Sequence, residues 1–148
     1  MYRVADQDDR NYITKTLTMC WVNSKKNEPR SMETLKQKIE DLFTGSRPAT
    51  IIINCDEDDP NFIKGFMIYN QVAPKKAIVH AIFVRPHFRR QGLATLFLAK
   101  LKRAGTESVC FTLDLTDDGV FMPIVNSMFD NTVSIRHLWE SDRFTKGV

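Results

Sequence analysis

No stretch of this chain is apolar for long enough to cross a bilayer, and its opening residues, MYRVADQDDR, lack the apolar core of a secretory signal. The first expectation is a cytoplasmic protein without membrane contact. Cysteine is sparse: Cys20, Cys55 and Cys110 are odd in number and widely spaced. That spacing excludes a disulfide framework and a zinc-ligand pattern, and it fits reduced thiols inside a cell. Charge excess is small as well, at +3, too little to argue for nucleic acid by itself. Internal repeats, low-complexity tracts and linker-like stretches are absent. With 148 residues there is room for one core, so residues 1–148 are read as a single domain. A content of 43% hydrophobic and 26% charged residues is ordinary for a globular protein.

What the sequence does carry is patterned. Residues 2–5 suit a short strand, and Asp6 can cap a helix bearing Tyr12, Ile13, Leu17, Met19, Cys20 and Trp21. Residues 23–30 read as a loop, after which Ser31 caps a second helix with Met32, Leu35, Ile39, Leu42 and Phe43 at helical spacing and Gly45 as its stop. Strands are expected at 49–54, 62–72 and 77–84, the first two joined through the acidic turn 56–61. A helix follows the third. Beyond Gly105 come a strand at 109–115, a short helix with Phe121, Ile124, Val125, Met128 and Phe129, and a last strand at 132–139. The order is β-α-α-β-β-β-α-β-α-β, an α/β (α+β) architecture.

The most informative stretch is AIVHAIFVRPHFRRQGLATLFLAKLKRA, residues 77–104. An apolar strand runs into a basic turn bearing a glycine and then into an amphipathic helix. Pro86, with no amide to donate, ends the ladder. Arg89, Arg90 and Gln91 are expected to open the helix, whose first-turn amides, dipole and neighbouring arginines favour a phosphate or pyrophosphate. At Gly92 a Cβ would stand between backbone and ligand. Lys75, Lys76, Arg85, His87, Arg89, Arg90, Lys100, Lys102 and Arg103 crowd this region, although the last three are equally explained as a solvated helix face.

The run Arg89-x-x-Gly92-x-Ala94 resembles the acyl-CoA pyrophosphate loop of the GNAT superfamily of N-acetyltransferases, whose pattern is Gln/Arg-x-x-Gly-x-Gly/Ala. The element order matches that fold from end to end. The resemblance implies a GNAT fold: a central mixed, mostly antiparallel sheet splayed between the strands 77–84 and 109–115. Acetyl-CoA would be the co-substrate, with no metal. Backbone groups of Ile82, Phe83 and Val84 would hold the pantetheine arm, and Arg89, Arg90, Gln91, Gly92, Leu93 and Ala94 the pyrophosphate, with Thr95 adding a hydroxyl. Lys75, Arg85 or His87 would meet the nucleotide 3′-phosphate.

Transfer of an acyl group to an amine needs a neutral amine, an oxyanion partner and a proton for the departing thiolate. Family members often place a Glu on the strand before the loop as base. Here that strand offers His80, whose unperturbed pKa suits a base. A packed, hydrogen-bonded core histidine is the competing reading. The family's tyrosine acid falls at Asn126, which can hydrogen-bond a thioester but is a poor proton donor. Asp114 either binds the amine or faces solvent, and Asp117 and Asp118 read as helix caps.

The resemblance therefore implies an acetyl-CoA-dependent N-acyltransferase working by direct attack, its acceptor a small molecule or protein bearing a primary amine. Two alternatives stay open: a catalytically weak protein of the same fold that binds acyl-CoA or a partner, and a related enzyme acting on nucleic acid. The modest charge argues against the last. By analogy with the family, the C-terminal strand is an edge through which a homodimer could form.

Overall fold

The computed structural model describes residues 1–23, 32–45, 48–112, 128–129 and 131–135. Six strands form one sheet in the order β1-β2-β3-β4-β5-β6: Tyr2–Val4, Thr50–Cys55, Ile63–Ala73, Lys76–Val84, Ser108–Thr112 and Asn131–Ile135. The first four are antiparallel neighbours, while β4–β5 and β5–β6 are parallel, so the sheet is mixed and mostly antiparallel. Helices α1 (Arg10–Asn23), α2 (Met32–Thr44) and α3 (Leu93–Arg103) complete the described elements. The expected order holds through the strand after α3. The expected helix near 121–129 lies almost wholly outside the described residues, as does the cap at Ser31; of the loop expected at 23–30, Asn23 closes α1 and the rest lies outside them.

Two apolar layers sandwich the sheet. Ile13 and Leu17 of α1 and Ile39 and Leu42 of α2 pack on Ile51, Ile53, Phe66, Ile68 and Ala81. On the opposite face Phe97, Leu98 and Leu101 of α3 pack on Met67, Ala77, Val79, Ile82 and Val109. The expected stripes are buried only in part, since Met19 of α1 and Leu96 of α3 are exposed, and the two layers supply the apolar burial that drives folding. Tyr2 meets the ring of Phe97 edge-on at 5.6 Å, and the Lys100 ammonium lies 4.2 Å from the Tyr2 ring centroid. With Lys102 and Arg103 it occupies the last turn of α3, where cations complement the helix dipole. Three members of the basic cluster are thereby accounted for by the helix.

The chain's start is pinned by one guanidinium. Asp6 caps a single 3-10 turn, its side chain accepting from the Asp8 amide (2.9 Å) while Asp9 accepts from the Asp6 amide (2.9 Å). Arg3 donates to both oxygens of Asp9 (2.6 and 2.8 Å) and to the Pro60 carbonyl (3.0 Å). That bidentate pair holds the Asp9 carboxyl below the usual range. Cys55 and Cys110 are buried and Cys20 half-buried, and none forms a disulfide.

The ladder between β3 and β4 is regular at Gly65 and shifts register between Ile68 and Tyr69 and between Gln71 and Ala73. Gly65 faces Val84, and a Cβ there would come within 2.6 Å of the Phe83 carbonyl oxygen, so only glycine allows this approach. In the same ladder Ile68 pairs with Ala81 but Tyr69 pairs with Val79, which leaves His80 as the extra residue of a β-bulge. The bulge reverses the alternation: Val79 lies in the α3 layer, yet Ala81 lies in the α1/α2 layer.

Candidate functional site

Parallel pairing of β4 with β5 runs only from Lys76↔Ser108 to Val79↔Phe111. From the bulge at His80 onward β4 continues to Val84 with β3 on one side and, among the described residues, no strand on the other. The described part of β5 closes at Thr112, so the described pairing with β4 ends just before His80. The backbone of Ile82, Phe83 and Val84 lies along the edge of β4 that faces no described strand, where alternate amides and carbonyls of a strand point away from β3.

At the end of the edge the chain turns sharply. Pro86–Phe88 form a 3-10 turn in which the Phe88 amide donates to the Arg85 carbonyl (2.8 Å). Phe88 packs edge-on against Phe62 (5.9 Å), and the Lys64 ammonium sits 5.3 Å from its ring. Arg89 donates from Nε back to the Val84 carbonyl (2.9 Å). Arg90 then takes a left-handed backbone (φ 65°), as does Gly92 (φ 81°). Those two reversals keep the helix from opening at Arg89, Arg90 and Gln91 as the residue pattern led one to expect, and α3 begins at Leu93 with Gly92 as its N-cap.

No side chain caps α3. Its first intrahelical bond runs from the Leu96 amide to the Gly92 carbonyl (3.0 Å), so the amides of Leu93, Ala94 and Thr95 open outward from the helix start. Among the described residues, its chain neighbours apart, a Cβ built at Gly92 would meet no atom within 4 Å, so the space over the turn is open. Arg89, Arg90, Gln91 and Thr95 are exposed around it. Outward amides, a positive helix end and flanking guanidinium groups make a site that fits a diphosphate.

The 3′-phosphate assignments need correction. Lys75 precedes the far end of β4 and pairs with Glu107 (3.4 Å). Arg85 is held by stacking, 4.7 Å from the Phe62 ring and 5.3 Å from that of Tyr12, with Nε donating to the Ile63 carbonyl (2.8 Å). Of the three, His87 alone stays exposed in the turn itself.

His80 is 8% exposed. Its Nε2 lies 2.7 Å from Oδ1 of Asn70, on β3. The ordinary histidine pKa expected from sequence does not hold, because burial, with the Lys38 ammonium of α2 adding to it, pushes the imidazole down to about 4. It is therefore neutral across the physiological range. Asn70 was not singled out by sequence reasoning, and the bulge that brings His80 beside it left no mark in the run of apolar residues. Asp114, Asp117, Asp118, Asn126 and Ser127 lie outside the described residues. Among the described residues no group of three or more His, Cys, Asp or Glu could hold a metal ion, and no helix is long and apolar enough to cross a membrane.

The family model described as Acetyltransferase (GNAT) family matches residues 11–119. No curated protein matches the chain by sequence. Among solved structures, a possible acetyltransferase from Clostridium difficile 630 superposes with a TM-score of 0.59 at 12% identity, covering 88% of this chain and 90% of that one. A predicted acetyltransferase from Clostridium acetobutylicum, solved with acetyl-CoA, gives 0.58 at 17% identity and 86% of each chain. An N-acetyltransferase from Staphylococcus aureus Mu50 gives 0.54 at 14% identity, covering 86% and 88%.

Proposed function

Because the chain belongs to the GNAT acetyltransferase family, we propose that it binds acetyl-CoA along the edge of β4 at residues 82–84 and transfers the acetyl group to a primary amine on a small molecule or protein. The observation that carries the proposal is the turn 89–95, where two left-handed residues aim an uncapped helix start into open space beside exposed arginines. The amides of Gly92, Leu93 and Ala94, with Arg90 and Gln91, would hold the pyrophosphate, Arg89 would brace the turn through Val84, and Thr95 would add its hydroxyl. Backbone groups of Ile82, Phe83 and Val84 would align the pantetheine arm as an added strand. When bound, acetyl-CoA supplies an activated acyl carbon and a thiolate leaving group. Asp114 as amine binder and Asn126 as a hydrogen-bond partner for the thioester rest on sequence position alone.

In this reading His80 receives the proton that the amine sheds as it attacks. At about 4 its imidazole is too weak a base to deprotonate a resting ammonium, which must arrive neutral. The expected signature is a kcat/KM that keeps rising with pH toward the acceptor's own pKa, with no plateau near 6.5. The deep burial of His80 favours a second reading, a protein that binds acyl-CoA without efficient turnover.

Calorimetric titration with acetyl-CoA tests the site. The wild type should bind in the micromolar range and the Arg90→Glu/Gly92→Asp double variant at least about 100-fold more weakly, since it reverses a charge and fills the turn. Absence of wild-type binding by folded protein would reject both readings. Binding without thiol release across a panel of amines would select the second.

A further inference from the structure

We propose that Asn70 is a positioning residue for His80: its side-chain carbonyl fixes the proton on Nε2 and so makes Nδ1 the basic atom of the ring at the β4 bulge. The inference rests on the acyl-transfer reading above and extends it to a residue on a different strand. A neutral imidazole carries one proton, and which nitrogen holds it is decided by the partner of the other. The Asn70 amide is itself oriented. Its Nδ2 donates to the Pro48 carbonyl (3.4 Å), which turns Oδ1 toward the ring. Oδ1 can only accept, so Nε2, 2.7 Å away, must donate. The lone pair is left on Nδ1.

The arrangement depends on the bulge. In a regular ladder the residue beside Asn70 on β4 is Ile78, its observed partner, and the next residue on that face would be paired across from Ile68. The inserted residue breaks that spacing, and His80 reaches Asn70 across the strand pair. Among the described residues, Lys38 of α2 acts on the ring by its charge, secondary to burial. It opposes protonation, so the tautomer, and not the charge, is what Asn70 can control.

The test combines a spectroscopic and a kinetic readout. In 15N-labelled protein without ligand, long-range 1H–15N correlation spectra of the His80 ring should give the pattern of an Nε2–H tautomer. Asn70→Leu should lose that pattern and lower kcat by about tenfold or more, with KM for acetyl-CoA changed less than about twofold. Asn70→Asp retains an acceptor against Nε2, so it should restore the tautomer, and its carboxylate should move the ring's titration upward. An Nδ1–H pattern in the wild type, or an Asn70→Leu protein with unchanged tautomer and kcat, would overturn the proposal. Spectra of Asn70→Asp also report whether the variant is folded. Should the wild type release no thiol with any amine, the acyl-transfer reading falls with its kinetic half, and the ring pattern still decides whether Asn70 sets the tautomer.

Discussion

The two halves of β4 are built from the same kind of residue and do different work. Residues 76–79 lie between β3 and β5, and Val79 is fully buried there. Residues 80–84 are equally apolar and lie beside β3 alone among the described residues. In the first half every backbone group can be used within the sheet. In the second, one row of donors and acceptors faces no described strand, and it is this row that the proposed function gives to the pantetheine arm. Apolar sequence therefore does not distinguish the two halves; what stands between them is the inserted residue, His80, at the bulge.

Substitutions can break that contrast. The largest effect is expected from Gly65→Val, because its Cβ would press on Phe83 and Val84, the tail of that edge. Loss of about 4 kcal/mol by urea unfolding should accompany weakened acetyl-CoA binding. A protein of wild-type affinity would show that the edge tolerates displacement.

His80 at the boundary gives the next effect. Its folded-state imidazole is held near 4 against 6.5, so below pH 6.5 the unfolded chain takes up this proton first. Its contribution is complete above that pH and is lost as pH falls toward 4, by about 3 kcal/mol across the window. His80→Gln keeps a donor for Asn70 without a titrating group, and should flatten this part of the stability profile. In the doubly paired half, Val79→Ala should cost about 2 kcal/mol by removing packed methyl groups while leaving the acetyl-CoA Kd unchanged. The smallest change is expected at Thr95→Ala, about 0.5 kcal/mol in binding and none in stability, as befits one exposed hydroxyl at the cradle.

Much of the molecule is legible in its residues. The strand and helix positions among the described residues follow largely from periodicity, and the strand–turn–helix around Arg89, Gly92 and Ala94, to which the pyrophosphate is assigned by proposal, follows from the strand before and the helix after. The helix start was misplaced because nothing in Arg-Arg-Gln announces a left-handed residue; Arg90 is helical by propensity and adopts φ 65° through the tertiary anchoring of Arg89 and Phe88. The cationic cluster looks uniform in sequence, yet stacking removes Arg85 and strand direction removes Lys75. His80 is found by residue type, and its lowered pKa and its partner are not, since both depend on a bulge that moves one residue out of register.

Arg90 carries a consequence for how such a chain evolves. A non-glycine residue in the left-handed region is disfavoured by about 1 kcal/mol relative to glycine, so Arg90→Gly should raise the melting temperature. The same change removes a cation from the diphosphate cradle. Selection for heat resistance alone would thus drive this position toward glycine, whereas selection for the proposed occupancy of the turn would hold it at arginine.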